Sequence, residues 1–335
     1  MRFVVYGAGA VGNLLGGYLA QTGHEVVLIG RPEHVARVRS QGLLLKNKFG
    51  LHTIRLEAVE QVKEVSFGSD DVVLLTVKSQ TTDSAVAELE AQVSSALPVF
   101  CFQNGVRNEE IAGRVFQNVY GGVVTLGARY TVPGQIVHLS GNLLTIGRYP
   151  EGLDHLAEAV GDALRLAGFK VYLHPKIMAV KWSKLLVNLA NPVYGLTGLS
   201  VAEVRNSAEG RACLADLYDE GIAVLEAAGI EFAPIPGRQD VREEAESLRQ
   251  PSDPQPLPED PDFNYYPSTW QDLYLHRGAT EVAQLNGEVV ALGERFGVST
   301  LLNTLLTRLI EDMTANGEPP GKYTLTELRA MSGRA

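Results

Sequence analysis

Cysteine is scarce in this 335-residue chain: it has two, Cys101 and Cys213, in apolar neighbourhoods and in no CxxC or Cys/His spacing. That argues against a disulfide framework or a zinc site, so no metal is expected, and it predicts buried free thiols in a reducing compartment, the cytosol. No strongly apolar run reaches the ~18 residues of a membrane span. The opening MRFVVYGAGAVGNLLGGYLA has one basic residue and then an apolar stretch, which must be told apart from a signal peptide. Glycines at 7, 9, 12, 16 and 17 and the lack of a small-x-small cleavage site favour a different explanation. Positive charge is also in the minority, with 29 Lys and Arg against 39 Asp and Glu, a formal net charge of -10. Such a surface repels phosphate backbones and anionic lipid, so neither nucleic acid nor membrane is an expected partner.

A chain of this length exceeds what one core usually serves, at ~100–200 residues per domain, so two domains are expected. Up to about residue 150, short β-branched runs alternate with helical-period segments, the rhythm of a parallel sheet covered on both faces. Strands are predicted at 2–6, 25–29, 72–77, 98–102 and 118–124, and helices at 10–22, 33–41, 79–96 and 107–115. A short hairpin is expected within 43–57 around Asn47 to Gly50, and a strand pair at 134–148 as an antiparallel edge. From about 176 the pattern turns helical, at 176–190, 208–229, 270–296 and 300–315. The predicted architecture is therefore an α/β Rossmann domain, 1–175, followed by an all-α domain, 176–335. The stretch 232–267, rich in proline and acidic residues, reads as a long exposed loop or lid.

Gly7-Ala8-Gly9-Ala10-Val11-Gly12 is a GxGxxG run, weak alone but placed after the strand VVY and at the start of a helix. Gly7 permits the tight turn, Gly9 lets a pyrophosphate approach the backbone, and Gly12 allows close helix–strand packing. The helix N-terminus would then receive the anion. The second strand ends in Gly30-Arg31 with no Asp or Glu at its tip, which favours a 2′-phosphate over a free ribose hydroxyl, hence NADP(H) over NAD. Lys78 and Asn104 follow later strands, where an open α/β sheet binds ligand; a polar turn residue is the alternative for each.

In WSKLLVNLANP, Lys184, Asn188 and Asn191 stand at i, i+4 and i+7, so one helix face carries a polar set in an apolar stretch. Reducing a ketone requires a proton donor and groups that hold the substrate's carboxylate, which this set could supply; a solvated stripe is the alternative. Ser268 could cap the helix that follows it. Glu281 lies near Asn286, and spacing alone cannot bring it to Lys184.

Taken together, GAGAVG, Arg31, TVK ending at Lys78, QNG at Asn104, WSKLLVN, and STWQD followed by TEVAQLNG resemble the ketopantoate reductase (2-dehydropantoate 2-reductase) family in order and almost end to end. The resemblance implies a Rossmann domain and a helical domain with the active site in the cleft between them. It also implies NADPH-dependent reduction of a 2-oxo acid to a 2-hydroxy acid, as in making pantoate for pantothenate and coenzyme A. By the same resemblance Lys184 is the general acid toward the keto oxygen, and Glu281 lies beside substrate and nicotinamide. Asn188, Asn191, Ser268 and Asp272 fall on the substrate side, and Arg31, Lys78, Asn104 and the Ala128 backbone on the cofactor side.

The departures touch the substrate side. Asn188 to the next Asn-Pro is one residue shorter than the family pattern, Asp272 to Glu281 is one longer, and 232–267 is expanded. A paralogous 2-oxo acid reductase, an opine-type dehydrogenase requiring an amino acid co-substrate, and a non-catalytic NADP-binding redox sensor are the other readings. Against the sensor stands the joint presence of Lys184, Asn188 and Glu281. Apolar positions in 208–229 and 300–315 could serve the core or a homodimer interface.

Overall fold

The computed structural model describes residues 1–254, 256–258 and 264–333 and divides into two units, Met1–Lys181 and Trp182–Ala335. The first unit runs β1 (Arg2–Tyr6), α1 (Ala10–Gln21), β2 (Glu25–Ile29), α2 (Pro32–Gln41), β3 (Leu43–Asn47), β4 (Gly50–Ile54) and β5 (Glu57–Val59). It continues with β6 (Asp71–Leu75), α3 (Thr82–Glu90), β7 (Val99–Cys101), α4 (Asn108–Gly113), β8 (Val119–Arg129), β9 (Gln135–Arg148), α5 (His155–Leu166) and β10 (Lys170–Leu173). These strands form one sheet ordered β4-β3-β9-β8-β7-β6-β1-β2-β5, with β10 beside β9. From β5 across to β8 the neighbours are parallel.

Successive residues of the central strands feed opposite faces: Phe3, Val5 and Leu28 enter one buried cluster, Val4, Val27 and Ile29 the other. Period-2 alternation in a strand apolar on both sides is what a sheet covered on both faces requires. The hairpin forms as expected, with Asn47 opposite Gly50. Cys101 and Cys213 are both buried free thiols.

Three expectations for this unit need correction. The 134–148 segment is one strand, β9, antiparallel to β8, and it is no edge, because the β3–β4 hairpin extends the sheet beyond it. The 79–96 helix is shorter, since a 3-10 turn at Ser79–Thr81 precedes α3 and α3 ends at Glu90. Strand β6 stops at Leu75, so Lys78 lies three residues past it. The pattern reading also left 149–175 unassigned; there Asp154 caps α5 by accepting from Ala157 N–H and also pairs with Arg148.

The second unit is helical. After α6 (Ile177–Asn188), which crosses the unit boundary, come α7 (Asn191–Thr197), α8 (Val201–Asn206), α9 (Ala208–Ala227), α10 (Val241–Leu248), α11 (Ser268–Tyr274), α12 (Asn286–Phe296), α13 (Leu301–Ala315) and α14 (Leu325–Met331). Helix α9 is the hub, packing against α8, α10, α12, α13 and α14. Its buried Glu220 accepts from the N–H groups of Leu302 and Asn303, satisfying the start of α13 with a negative charge where the helix dipole favours one.

Two helical expectations fail here. The 270–296 helix is interrupted: α11 stops at Tyr274, His276 takes φ 47° and Gly278 φ 71°, and α12 starts only at Asn286. The 232–267 segment is not a free loop throughout. It contains α10, whose Val241, Ala245 and Leu248 lie at i, i+4 and i+7 and are buried. Arg249 binds Asp216 and Asp219 of α9, and Arg242 binds Glu226. Residues 255 and 259–263 of the expected loop lie outside the described residues. Among the described residues no helix is long and apolar enough to cross a membrane.

Candidate active site

In the first unit β1 lies between β2 and β6, so chain order reverses at β1 and a crevice opens at the carboxyl ends of these strands. The glycine run occupies that place. A Cβ on Gly7, at φ 113°, would stand 2.5 Å from Val77 N, and one on Gly12 would stand 2.3 Å from Gly7 O and 2.6 Å from Thr76 Oγ1. At Gly9 the nearest atom is Gly7 O at 4.0 Å. Two glycines therefore let the chain close on itself, while the third leaves open space in front of α1, whose N-cap it is without any side-chain acceptor. A pyrophosphate fits this cradle, because the first-turn N–H groups at Ala10 and Val11 have no partners within a helix and point outward. Ala8 is used differently: its N–H donates to Ile29 O, fastening the loop to the end of β2.

Behind the loop, the fully buried Asn13 donates from Nδ2 to Ala8 O and Gly9 O, both at 2.8 Å. His34 contacts Asn13 from α2, and burial pushes its pKa down to about 4, so the ring is neutral. Arg31 is exposed at the N-cap of α2, separated from the end of β2 by Gly30. Asn104 O accepts from Ser79 Oγ at 2.7 Å and Asn108 Nδ2 at 2.6 Å, which joins the loops after β6 and β7. Lys78 is partly buried at the start of the first of these loops, and Ala128 lies in β8 beside a register shift. At the end of this unit the buried Lys181 is neutralised by Glu109 and donates to Gln103 O at 3.1 Å.

The second unit holds a cavity of about 350 Å³, within the ~300–1,000 Å³ of small-molecule sites. Lys184, Asn188 and Asn191 all line it, although not as one helix face. Helix α6 ends at Asn188, two turn residues follow, and Asn191 opens α7. Burial pushes the Lys184 ammonium pKa down to about 7; the nearby Arg238 guanidinium adds to this and Glu244 opposes it. Next to Lys184, Ser183 Oγ donates to Ala233 O at 2.6 Å, tying the proline-rich segment to α6.

The other residues expected on the substrate side are not on this cavity's wall. Pro267 is, but Ser268 is not, and Ser268 does not cap α11 either, since Pro267 is its N-cap and no side-chain bond closes there. Asp272 is buried and paired with Arg277 at 2.9 Å. Glu281 is buried in the turn before α12, where its carbonyl accepts from Gln284 and Leu285 N–H. Asn286 is structural, donating to Leu189 O and to Asn303 Oδ1.

Sequence reasoning missed Arg205, Arg238 and Glu244, together with the phenols of Tyr194 and Tyr218, all of which line the cavity. One signal was present: VREEAESL carries an i, i+4, i+7 apolar stripe that marks α10, and Glu244, at i+3, falls on that same buried face, where a lone carboxylate calls for a partner.

Two family models match the chain, Ketopantoate reductase PanE/ApbA over residues 3–151 and Ketopantoate reductase PanE/ApbA C terminal over 176–314. A 2-dehydropantoate 2-reductase of Pyrococcus abyssi is 30% identical, over 94% of this chain and 98% of that protein. The crystal structure of a PanE/ApbA family ketopantoate reductase from Ralstonia eutropha JMP134 superposes with a TM-score of 0.78 at 27% identity, covering 95% of this chain and 99% of that one. The ternary structure of D-mandelate dehydrogenase with NADH and anilino(oxo)acetate shares the fold, with a TM-score of 0.81 at 24% identity over 95% and 99% of the two chains. A Rossmann unit with a fitted dinucleotide cradle, a helical unit with a lysine-bearing cavity, and these matches lead to one conclusion: the chain is an oxidoreductase of the ketopantoate reductase family.

Proposed function

We propose that this protein reduces a 2-oxo acid to the 2-hydroxy acid with NADPH, and that 2-dehydropantoate is the acid. The observation that carries the reading is Lys184, a lysine in a cavity with its pKa brought near neutrality, where a general acid works best. Bound reduced nicotinamide would supply the hydride to the keto carbon. The Lys184 ammonium gives its proton to the keto oxygen as that oxygen gains charge, and the amine takes a proton back from solvent before the next turnover. Asn188 and Asn191 offer amide donors and acceptors to the substrate's polar groups from the same cavity wall. In the first unit the Gly7–Gly12 loop would hold the pyrophosphate, Arg31 the 2′-phosphate, and Lys78, Asn104 and the Ala128 backbone the rest of the cofactor. Glu281 is assigned a place beside substrate and nicotinamide by family resemblance.

A bulkier, aromatic 2-oxo acid is the second reading. It is favoured by the buried phenols of Tyr194 and Tyr218 in the cavity and by the fold shared with D-mandelate dehydrogenase. Following the loss of reduced-nicotinamide absorbance with a panel of 2-oxo acids separates the two. Fast turnover of 2-dehydropantoate upholds the first reading, and turnover only with aromatic acids replaces it with the second. NADPH binding without turnover of any acid removes both.

A further inference from the structure

The second unit's cavity contains more positive charge than its own residues neutralise. Glu244 is its only carboxylate among the described residues, and two guanidinium groups share it. Arg205 is hydrogen-bonded to Oε1, whereas Arg238 approaches Oε2 at 3.6 Å, an ion-pair distance longer than a hydrogen bond. One carboxylate between two arginines leaves a surplus of one positive charge, before Lys184 is counted. Of the rest of the lining, Val187, Ala190, Val201 and Pro267 cannot solvate a cation, while Asn188, Asn191, Gln239 and the tyrosines offer dipoles but no compensating charge. A partly buried guanidinium left with half a carboxylate is better satisfied when an anion meets it.

The two arginines are not equivalent. The Arg205 guanidinium is committed to Glu244, a group only 7% exposed. Arg238 follows Gly237, at φ 79°, in a turn closed by Arg238 N–H donating to Ile235 O at 2.9 Å, and Ile235 is buried. The turn is further anchored by the Ser183–Ala233 bond beside Lys184. Arg238 is thus a guanidinium on a fixed mount, oriented by Glu244, with donors to spare.

We infer that Arg238 is the carboxylate anchor of the substrate, receiving the 2-oxo acid's anionic end in a two-point contact while Arg205 and Glu244 hold it in place. A planar guanidinium suits a carboxylate because two parallel N–H donors match its two oxygens. The inference rests on the 2-oxo acid reading given above, and it deepens that reading by fixing which end of the substrate lies where. It also links binding to chemistry. Arg238 disfavours the ammonium form of Lys184, so an anion resting on Arg238 cancels that effect and promotes protonation of the acid when substrate is present.

The test compares wild type with Arg238→Ala, Arg238→Gln and Arg238→Lys, each saturated with NADPH, on 2-dehydropantoate and on its methyl ester. Losing a charge-assisted bond should lower kcat/KM for the acid by about 10- to 100-fold and leave the ester nearly unchanged, with Lys recovering part of the loss. Equal losses for acid and ester in the folded Gln variant would show a merely structural arginine and overturn the assignment. Calorimetric binding of oxamate, a non-reducible 2-oxo acid analogue, gives a readout without turnover. Binding by wild type that is lost in Arg238→Gln upholds the anchor even if no acid is reduced, an outcome that removes only the activity reading. Equal binding by both proteins, or none by wild type, overturns the anchor.

Discussion

His34 donates from Nε2 to Asn13 Oδ1 at 2.9 Å, and backbone groups at the two ends fix the direction of that bond. Gly134 N–H, which can only donate, points at His34 Nδ1 at 2.9 Å, so the ring proton sits on Nε2. Asn13 gives its amide hydrogens to two carbonyls, so its oxygen must face the histidine. A second proton on His34 would turn Nδ1 into a donor facing a donor. The cofactor loop is thus held by a chain of bonds that works only with a neutral imidazole.

Acid should weaken this arrangement. The folded pKa of His34 lies near 4, below its ordinary value of 6.5, so between those values the unfolded chain binds more protons and stability falls as pH drops from about 6.5 to about 4. The full effect is at most about 3 kcal/mol. Urea midpoints measured from pH 7 to 4.5 should fall more steeply for wild type than for His34→Gln; parallel curves would rule out His34 as the cause.

Gly9 and Gly12 should fail in different ways. A methyl at Gly12 meets backbone at 2.3 Å, so Gly12→Ala should destabilise the fold by about 1–3 kcal/mol. A methyl at Gly9 meets nothing closer than 4.0 Å, so Gly9→Ala should melt like wild type and lose NADPH affinity. Thermal melts paired with cofactor titrations decide this, and a destabilised Gly9→Ala would contradict the open cradle.

Lys184→Ala should reduce turnover by ~10²–10⁴, the usual scale for a lost general acid, with NADPH binding retained. In wild type, kcat/KM should decline as pH rises through about 7, because it reports the substrate-free enzyme, in which the ammonium is the reactive form and its pKa is depressed to that value. Arg238→Ala should move this decline to higher pH, since it removes a charge that disfavours the ammonium. A profile flat from pH 6 to 9 would exclude Lys184 as the proton donor.

Arg31 is exposed at the N-cap of α2, two residues past the end of β2. Arg31→Ala should weaken NADPH by about tenfold or more, as expected for a lost charge-assisted contact, and leave NADH unchanged. Equal losses for both cofactors would refute a role in reading the 2′-phosphate.

The Rossmann half was legible because its signals are local. A β-branched run, a glycine turn and a helix start each announce themselves within ten residues, and β1, α1, β2 and the Asn47–Gly50 hairpin lie where those signals put them. The helical half was harder, since composition masked geometry there. Prolines and acidic residues made 232–267 look unpacked, although α10 buries a regular stripe against α9. Lys181 and Lys184 illustrate the limit. They are three residues apart on one helix, yet one is neutralised by Glu109 and the other lines a cavity. Only partners distant in sequence separate them, and a pattern of spacing contains no such partners. Arg238 and Glu244 escaped for the same reason.

The Ser183–Ala233 bond has a consequence for how this enzyme would lose activity. It clamps the segment at Ala233 onto the helix turn that bears Lys184, so loosening that segment should hydrate the amine and restore its ordinary basicity while the rest of the unit stays folded. If Lys184 donates the proton as proposed, mild denaturant should shift the pH dependence of catalysis upward before any helix melts, making this lysine a more sensitive gauge of local opening than circular dichroism.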